Sequence, residues 1–404
     1  MKTKYYHKCI IGLFCIPLLL GGIGTIVPNA KEIDEVISKN MRQHSKGRSS
    51  ILGKVAGLSE GFVEGVEESF DTYIFKKEKY IDLYGWGEKV LGRNYIRDKN
   101  PSYTVVKDNY GILQFMTFAT DDTENLKEII ALNQELEENE IPFMFVQVPS
   151  KVIDEFTELP SSLVDASNDN MDNFLEGLRE GGINYLDIRD SVEADERDKE
   201  SLFYKTDHHW TSETALWATE KIVDRISADY NINIDEERQY INPDQLEMVT
   251  YKNSFLGSQG RRVGKKYAGV DDFTLITPKF ETDYKVTIKQ SHTSTTYEGD
   301  FVEAVLDAEL VDMTQTIYTN RYAGYFGGDY PEVTVQNKLN TNGKKILVVK
   351  DSFALPVSAF LSTAVEELRM LDVRYITMKD IGIYAKEYKP DVVIFLCKSA
   401  RPLA

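Results

Sequence analysis

Cysteine is almost missing from this chain, with three in 404 residues. Cys9 and Cys15 lie in an N-terminal apolar segment, which leaves only Cys397 beyond it. No C-x-x-C pair exists, so the body cannot close an internal disulfide. Basic charge is also short: 47 Lys and Arg stand against 65 Asp and Glu, for a net charge of -18. Such a chain repels phosphate backbones, which argues against nucleic acid as a partner and for plain solubility. Histidine is sparse, and besides His208 and His209 only His292 lies beyond residue 44. A zinc or iron centre needs a third or fourth ligand, so neither a metal nor another cofactor is expected. Internal repeats and low-complexity tracts are absent. The 42% of hydrophobic residues suffices for a full core.

The N-terminus carries a pattern of its own. Lys2, Lys4 and Lys8 precede Cys9–Val27, a run of 19 residues without a charge. A cationic start before an apolar run is an export signal, and this length also suits a bilayer span. Pro28 makes Val27-Pro28-Asn29-Ala30 a poor cleavage site, so residues 1–30 read as a signal-anchor. The positive-inside rule then places the body on the extracellular face of the cytoplasmic membrane, or secreted if the segment is cleaved. An exported body without disulfides fits an envelope with little disulfide chemistry.

Residues 31–100 read as a lead-in or stalk, polar and helix-like to about residue 75. Lys107-Asp108-Asn109-Tyr110-Gly111 reads as a tight turn between short strands. From there helix and strand patterns alternate. Helices are expected at Thr123–Asn139, Met171–Gly181, Thr211–Tyr230 and Pro356–Arg369. Strands are expected at Pro142–Pro149, Ile183–Ile188, Lys345–Lys350, Tyr375–Met378 and Pro390–Leu396. The rhythm implies an α/β domain over 101–404, a parallel sheet with helices on both faces. A β-rich insertion interrupts it at about 235–340, with runs such as Tyr284–Lys289.

Two constellations carry chemistry. Asp207-His208-His209-Trp210 sits in a polar run just before a helix, where open α/β sheets bind ligands. Asp207 and His209 are two positions apart. In an extended loop the carboxylate can orient one imidazole nitrogen and leave the other to take a proton. Ser352 follows an apolar strand and precedes a helix, a turn that exposes a hydroxyl beside backbone N–H groups. Taken singly, Ser352 is also an ordinary helix cap and Trp210 ordinary packing. The coexistence of both halves in one α/β chain points to nucleophilic catalysis.

On these residues the chain resembles the DHHW proteins, relatives of the alginate O-acetylation proteins AlgJ and AlgX and of peptidoglycan O-acetyltransferases of the PatB kind. The resemblance covers roughly residues 100–404. It implies a circularly permuted SGNH-hydrolase fold, since the Asp/His pair here precedes the serine. It also implies Ser352 as nucleophile, His209 as base and Asp207 as orienter. The expected reaction is acetyl transfer to a cell-envelope polysaccharide, with a multi-spanning MBOAT-type membrane protein as acetyl donor. The chain departs from that pattern at Cys397-Lys398-Ser399-Ala400-Arg401, where the family's oxyanion asparagine block would stand. Ser352 or Phe353 N–H, with Arg401 or an insertion residue, is then expected to replace it. Ser254–Arg262 and Tyr322–Pro331 in the insertion look family-like. Gly327, Asp329 and Tyr325 are candidate sugar contacts, although Gly327-Gly328-Asp329 also reads as a plain hairpin turn. A secreted esterase with the same three residues, and a polysaccharide-binding protein with a decayed site, are the other two readings.

Overall fold

The computed structural model describes residues 21–161, 163–290 and 293–398. It divides into two compact units, one ending at Leu83 and the other beginning at Tyr84. The first contains helices α1 (Ala30–Ser45) and α2 (Ile51–Tyr73), so the expected stalk is a helical hairpin. Gly57, Gly61 and Gly65 recur every fourth residue along α2, one face of a helix. A Cβ at these positions would lie 2.5 Å from His44 O, 2.5 Å from Asn40 O and 2.6 Å from Ile37 Cα. Glycine is what lets the two backbones approach so closely. Asn40 Nδ2 then donates to Glu68 Oε2 across the pair at 2.7 Å. Among the described residues no helix is long and apolar enough to cross a membrane. The expected anchor lies outside the described residues as far as residue 20.

The second unit opens with a three-stranded antiparallel sheet, β1 (Tyr95–Ile96), β2 (Val105–Lys107) and β3 (Leu113–Phe115). Residues 84–100 therefore group with the second unit and not with the lead-in. The turn expected at 107–111 is present. Asp108 Oδ1 accepts from Tyr110 N and Ile112 N, both at 2.9 Å, and Gly111 supplies a φ of +79°.

The remaining strands are β4 (Phe143–Gln147), β5 (Tyr185–Asp187), β6 (Leu246–Phe255), β7 (Asp271–Pro278), β8 (Tyr284–Lys289), β9 (Ser294–Gly299), β10 (Glu332–Asn337), β11 (Lys345–Lys350), β12 (Glu367–Asp372) and β13 (Val392–Cys397). Eight of them form one sheet in the order β5-β4-β13-β11-β12-β10-β8-β9. The first five are parallel and the last three antiparallel. The sheet is thus mixed. Most of the insertion's strands extend it, and only β6 and β7 pair apart as a ribbon.

Helices cover both faces, as the alternating pattern requires. On one face α5 (Ser212–Tyr230) and α6 (Ala354–Ala364) pack on Met144, Val146, Val348 and Ile394. On the other, α3 (Thr123–Glu137), α4 (Ser167–Glu180) and α7 (Met378–Tyr388) pack on Phe143, Phe145, Val349 and Phe395. Alternate residues of each central strand serve opposite layers, so these strands read as unbroken apolar runs.

Two expected elements near the C-terminus shift. The helix expected to reach Arg369 stops at Ala364, where Val365 turns extended, and Glu367–Asp372 is a strand parallel to β11. The strand expected at Tyr375–Met378 is a turn and a helix start, because Thr377 Oγ1 accepts from Asp380 N at 3.2 Å and caps α7.

Candidate active site

Ser352 stands at the C-terminal end of β11, on the turn into α6. Its two neighbours anchor that turn. Asp351 Oδ1 accepts from Phe353 N at 2.9 Å, and Oδ2 accepts from Lys398 N at 2.7 Å, tying β11 to the end of β13. Burial pushes the Asp351 carboxyl up, against those two N–H donors. Beneath it, fully buried Lys350 bonds Asp329 at 2.5 Å and Asp372 at 3.2 Å.

The Asp-His loop is a tight hairpin between Phe203 and Trp210, which form an antiparallel bridge, with Tyr204 N donating to His209 O at 3.2 Å. Thr211 ends it by capping α5. Asp207 Oδ1 lies 2.5 Å from His209 Nδ1 and also accepts from His209 N at 3.0 Å. Asp207 Oδ2 accepts from Ser258 N at 2.6 Å. His209 Nε2 lies 2.7 Å from Ser352 Oγ. The structure therefore brings Asp207, His209 and Ser352 into one hydrogen-bonded chain, although 143 positions of sequence separate His209 from Ser352. Burial works to raise the Asp207 carboxyl. His209, His208 and the Ser258 N–H outweigh it and hold the group well below the usual carboxylate range. Asp207 is thus a fixed anion beside His209.

Four supports hold this loop. Lys151 is buried, and its Nζ donates to Tyr204 O at 2.8 Å, Asp207 O at 2.7 Å and Gln259 Oε1 at 2.9 Å. Asp271 accepts from Lys205 N and Thr206 N, both at 2.8 Å. Gly257 presses on the loop so closely that a Cβ would lie 2.5 Å from Asp207 Cα. Tyr322 lies flat on the His209 ring, with centroids 3.8 Å apart and planes at 7°, and its hydroxyl donates to Phe353 O at 3.1 Å. Trp210, fully buried, donates from Nε1 to the same carbonyl at 3.1 Å. His208 lies beside His209 with its Nδ1 2.7 Å from Ser258 Oγ, and burial, with the neighbouring His209, pushes it well below the ordinary imidazole range.

These contacts change the reading of the insertion. Within Ser254–Arg262, Gly257 and Ser258 bracket Asp207, and Gln259 holds Lys151. Tyr325 is buried, with its hydroxyl spent on Ile276 N and O at 3.1 and 3.2 Å, so no ring face is left for a ligand. Asp329 is committed to Lys350 and, at 2.9 Å, to Arg374. Gly327 has φ +77° and Gly328 φ +127°, a glycine turn between Tyr325, which bridges to Leu306, and β10, which pairs with β8 and β12. Arg401 lies outside the described residues. The Phe353 N–H expected at an oxyanion is taken by Asp351, while Ser352 N has no acceptor among the described residues. Asp207, His208 and His209 could also gather a metal ion, with ligand atoms within 4.8 Å. Asp207 Oδ1 and His209 Nδ1 are already spent on each other, however, and three ligands fall short of a closed site.

Known proteins resemble this chain in part of its sequence and in its fold. Residues 114–257, which contain Asp207 and His209 and stop short of Ser352, match the family described as SGNH hydrolase-like domain, acetyltransferase AlgX. No curated protein matches the chain. Among solved structures, Bacillus cereus PatB1 carrying a sulfonyl adduct superposes with a TM-score of 0.60 at 22% identity, over 77% of this chain and 96% of that one. A DHHW family protein from Eubacterium siraeum superposes with a TM-score of 0.55 at 16% identity, over 76% and 93%. Residues 114–257 are thus similar to the SGNH hydrolase-like domain of AlgX, and the chain shares the fold of PatB1 and the DHHW protein.

Proposed function

We propose that this protein transfers an acetyl group to hydroxyls of a cell-envelope polysaccharide through an acyl-enzyme on Ser352. The observation that carries the reading is the 2.7 Å approach of Ser352 Oγ to His209 Nε2, with His209 Nδ1 held by Asp207. His209 takes the Ser352 proton as Oγ bonds to the acetyl carbonyl carbon. Asp207 fixes the tautomer and balances the imidazolium that forms. The Ser352 N–H is free to donate to the oxyanion. Collapse expels the donor's alcohol or thiol, which leaves with the proton from His209. A sugar hydroxyl then gives its proton to His209 and attacks the acetyl carbon; the bond to Ser352 Oγ breaks, and His209 returns the proton to Oγ.

An MBOAT-type membrane protein as donor and a site at the outer face of the cytoplasmic membrane fit the charged start and apolar run at residues 2–27. PatB1 has been obtained with a sulfonyl adduct, so a protein of this fold can be covalently modified by such a reagent, and here the expected point of attachment is Ser352. The test is to incubate the full chain with p-nitrophenyl acetate and chitopentaose and to read product masses. Acetylated chitopentaose that disappears in Ser352→Ala establishes the transfer. Free acetate alone, also Ser352-dependent, assigns an esterase. No turnover and no acyl-enzyme leaves a binding protein.

A further inference from the structure

The hydrogen-bonded chain at Ser352 accounts for the acyl group but not for how the acceptor is held. Most of the insertion residues expected to do so, Gly257 and Tyr325 among them, are buried against the loop or the core, but Arg262 at the end of the first segment is not. A different surface continues outward from the histidines. The His208 ring lies on His209 with centroids 3.7 Å apart. Phe115, at the end of β3, has its ring 6.2 Å from that of His208. Tyr103, on the turn before β2, sits edge-on to Phe115 at 5.8 Å. The Arg262 guanidinium lies 4.1 Å from the Tyr103 centroid and pairs with Asp98 at 2.9 Å.

This row grades from buried to open. Asp207 is buried, the His208 side chain is 32% exposed and Tyr103 is 44% exposed. Tyr103 stands partly in solvent and is fixed in orientation by Phe115 and Arg262. The Arg262 side chain, 38% exposed, is in turn fixed by Asp98. Preorganised aromatic faces with a few charged groups beside them are how proteins hold ligands at low entropic cost. A pyranose ring offers both complements. Its C–H faces carry the partial positive charge that an aromatic face attracts, and its hydroxyls bond to guanidinium and carboxylate.

We propose that Tyr103, Arg262 and Asp98 form an acceptor subsite that takes a pyranose ring of the polysaccharide, displaced along the chain from the unit whose hydroxyl reaches Ser352. This rests on the acetyl-transfer reading for its purpose, but not for its measurement. The subsite is tested by binding, in the full chain bearing Ser352→Ala, with chitopentaose and cellopentaose as probes. Titration calorimetry should show one of these pentasaccharides binding. Tyr103→Ala weakens that binding about tenfold, Arg262→Gln weakens it less, and Tyr103→Phe, which keeps the ring, restores it. Melting curves of each variant separate lost binding from lost fold. Unchanged affinity in Tyr103→Ala overturns the subsite and leaves the acyl-transfer reading standing. Binding of neither pentasaccharide overturns the subsite as well. Loss of serine acylation, measured separately on the parent chain, overturns the transfer reading alone.

Discussion

The phenol ring of Tyr322 lies parallel to the imidazole of His209 at 3.8 Å, while its hydroxyl donates to the carbonyl of Phe353, next to the serine. One side chain thus sets the plane of the histidine and pins the turn that carries Ser352. Tyr322→Phe keeps the ring and loses one buried hydrogen bond, about 1 kcal/mol of stability. Tyr322→Ala also frees the His209 ring, and its acyl-enzyme formation falls further than its melting temperature explains. Comparing the two variants by single-turnover kinetics and thermal melts checks this.

Asp207→Asn preserves the shape of the loop and removes the anion that selects the tautomer. By analogy with the serine-histidine-aspartate enzymes, kcat should fall about 10⁴-fold while the fold persists. Steady-state rates with p-nitrophenyl acetate read this directly. A loss of less than tenfold would remove Asp207 from the mechanism.

The same residue makes a pH prediction. Its carboxyl is held well below the ordinary range, so the folded state binds fewer protons than the unfolded one in acid. The stability it contributes is complete above the unfolded value of about 3.9 and is lost as pH falls through the folded value. The stability gap between parent and Asp207→Asn is therefore flat from pH 8 to 5 and closes below about pH 4. Urea unfolding across that range measures it.

Gly257 has an ordinary φ of -72°, so its need for glycine is one of space and not of backbone. Gly257→Ala pushes a methyl into Asp207 Cα and breaks the Ser258 N–H bond to Oδ2. Overpacking of this kind costs about 1–3 kcal/mol, and here the displacement falls on the orienting carboxylate. Activity should drop at least as far as in Asp207→Asn, with a clear loss in melting temperature.

Lys350→Met leaves Asp372, fully buried, and Asp329 with Arg374 alone of the two cations they share. Breaking a buried pair in this way costs about 3–5 kcal/mol. Asp329→Asn should lower the melting temperature without raising the KM for an acceptor sugar, as befits a residue committed to Lys350 and Arg374. A raised KM with an unchanged melting temperature would return Asp329 to the sugar site.

The legible parts of the fold were those with strong periodicity. The central strands at 143–147, 345–350 and 392–397 are buried on both faces and read as apolar runs, and the helix at 212–230 reads from its spacing. The Asp207, His209 and Ser352 grouping was legible because each lies at an element boundary with its own local signature. The supports were not. Nothing near Lys151 in sequence reveals that its ammonium reaches 108 positions on to Gln259, and the use of Tyr322 depends on a packing that only the fold creates. The glycines of the insertion read as turns for sugar contact because local sequence cannot show which backbone will press on which. Residues 365–378 misled because Glu367–Asp372 mixes charged and apolar residues, and its strand is set by pairing with β11.

The central claim is that Ser352 carries the acyl group, and the most direct measurement is the site of acetylation itself. The full chain would be mixed with p-nitrophenyl acetate, quenched in acid during the burst and mapped by peptide mass. The account predicts one acetyl group on the peptide that contains Ser352, absent in Ser352→Ala and in His209→Ala. Acetyl on another residue, or turnover with no acetyl on Ser352, would contradict it.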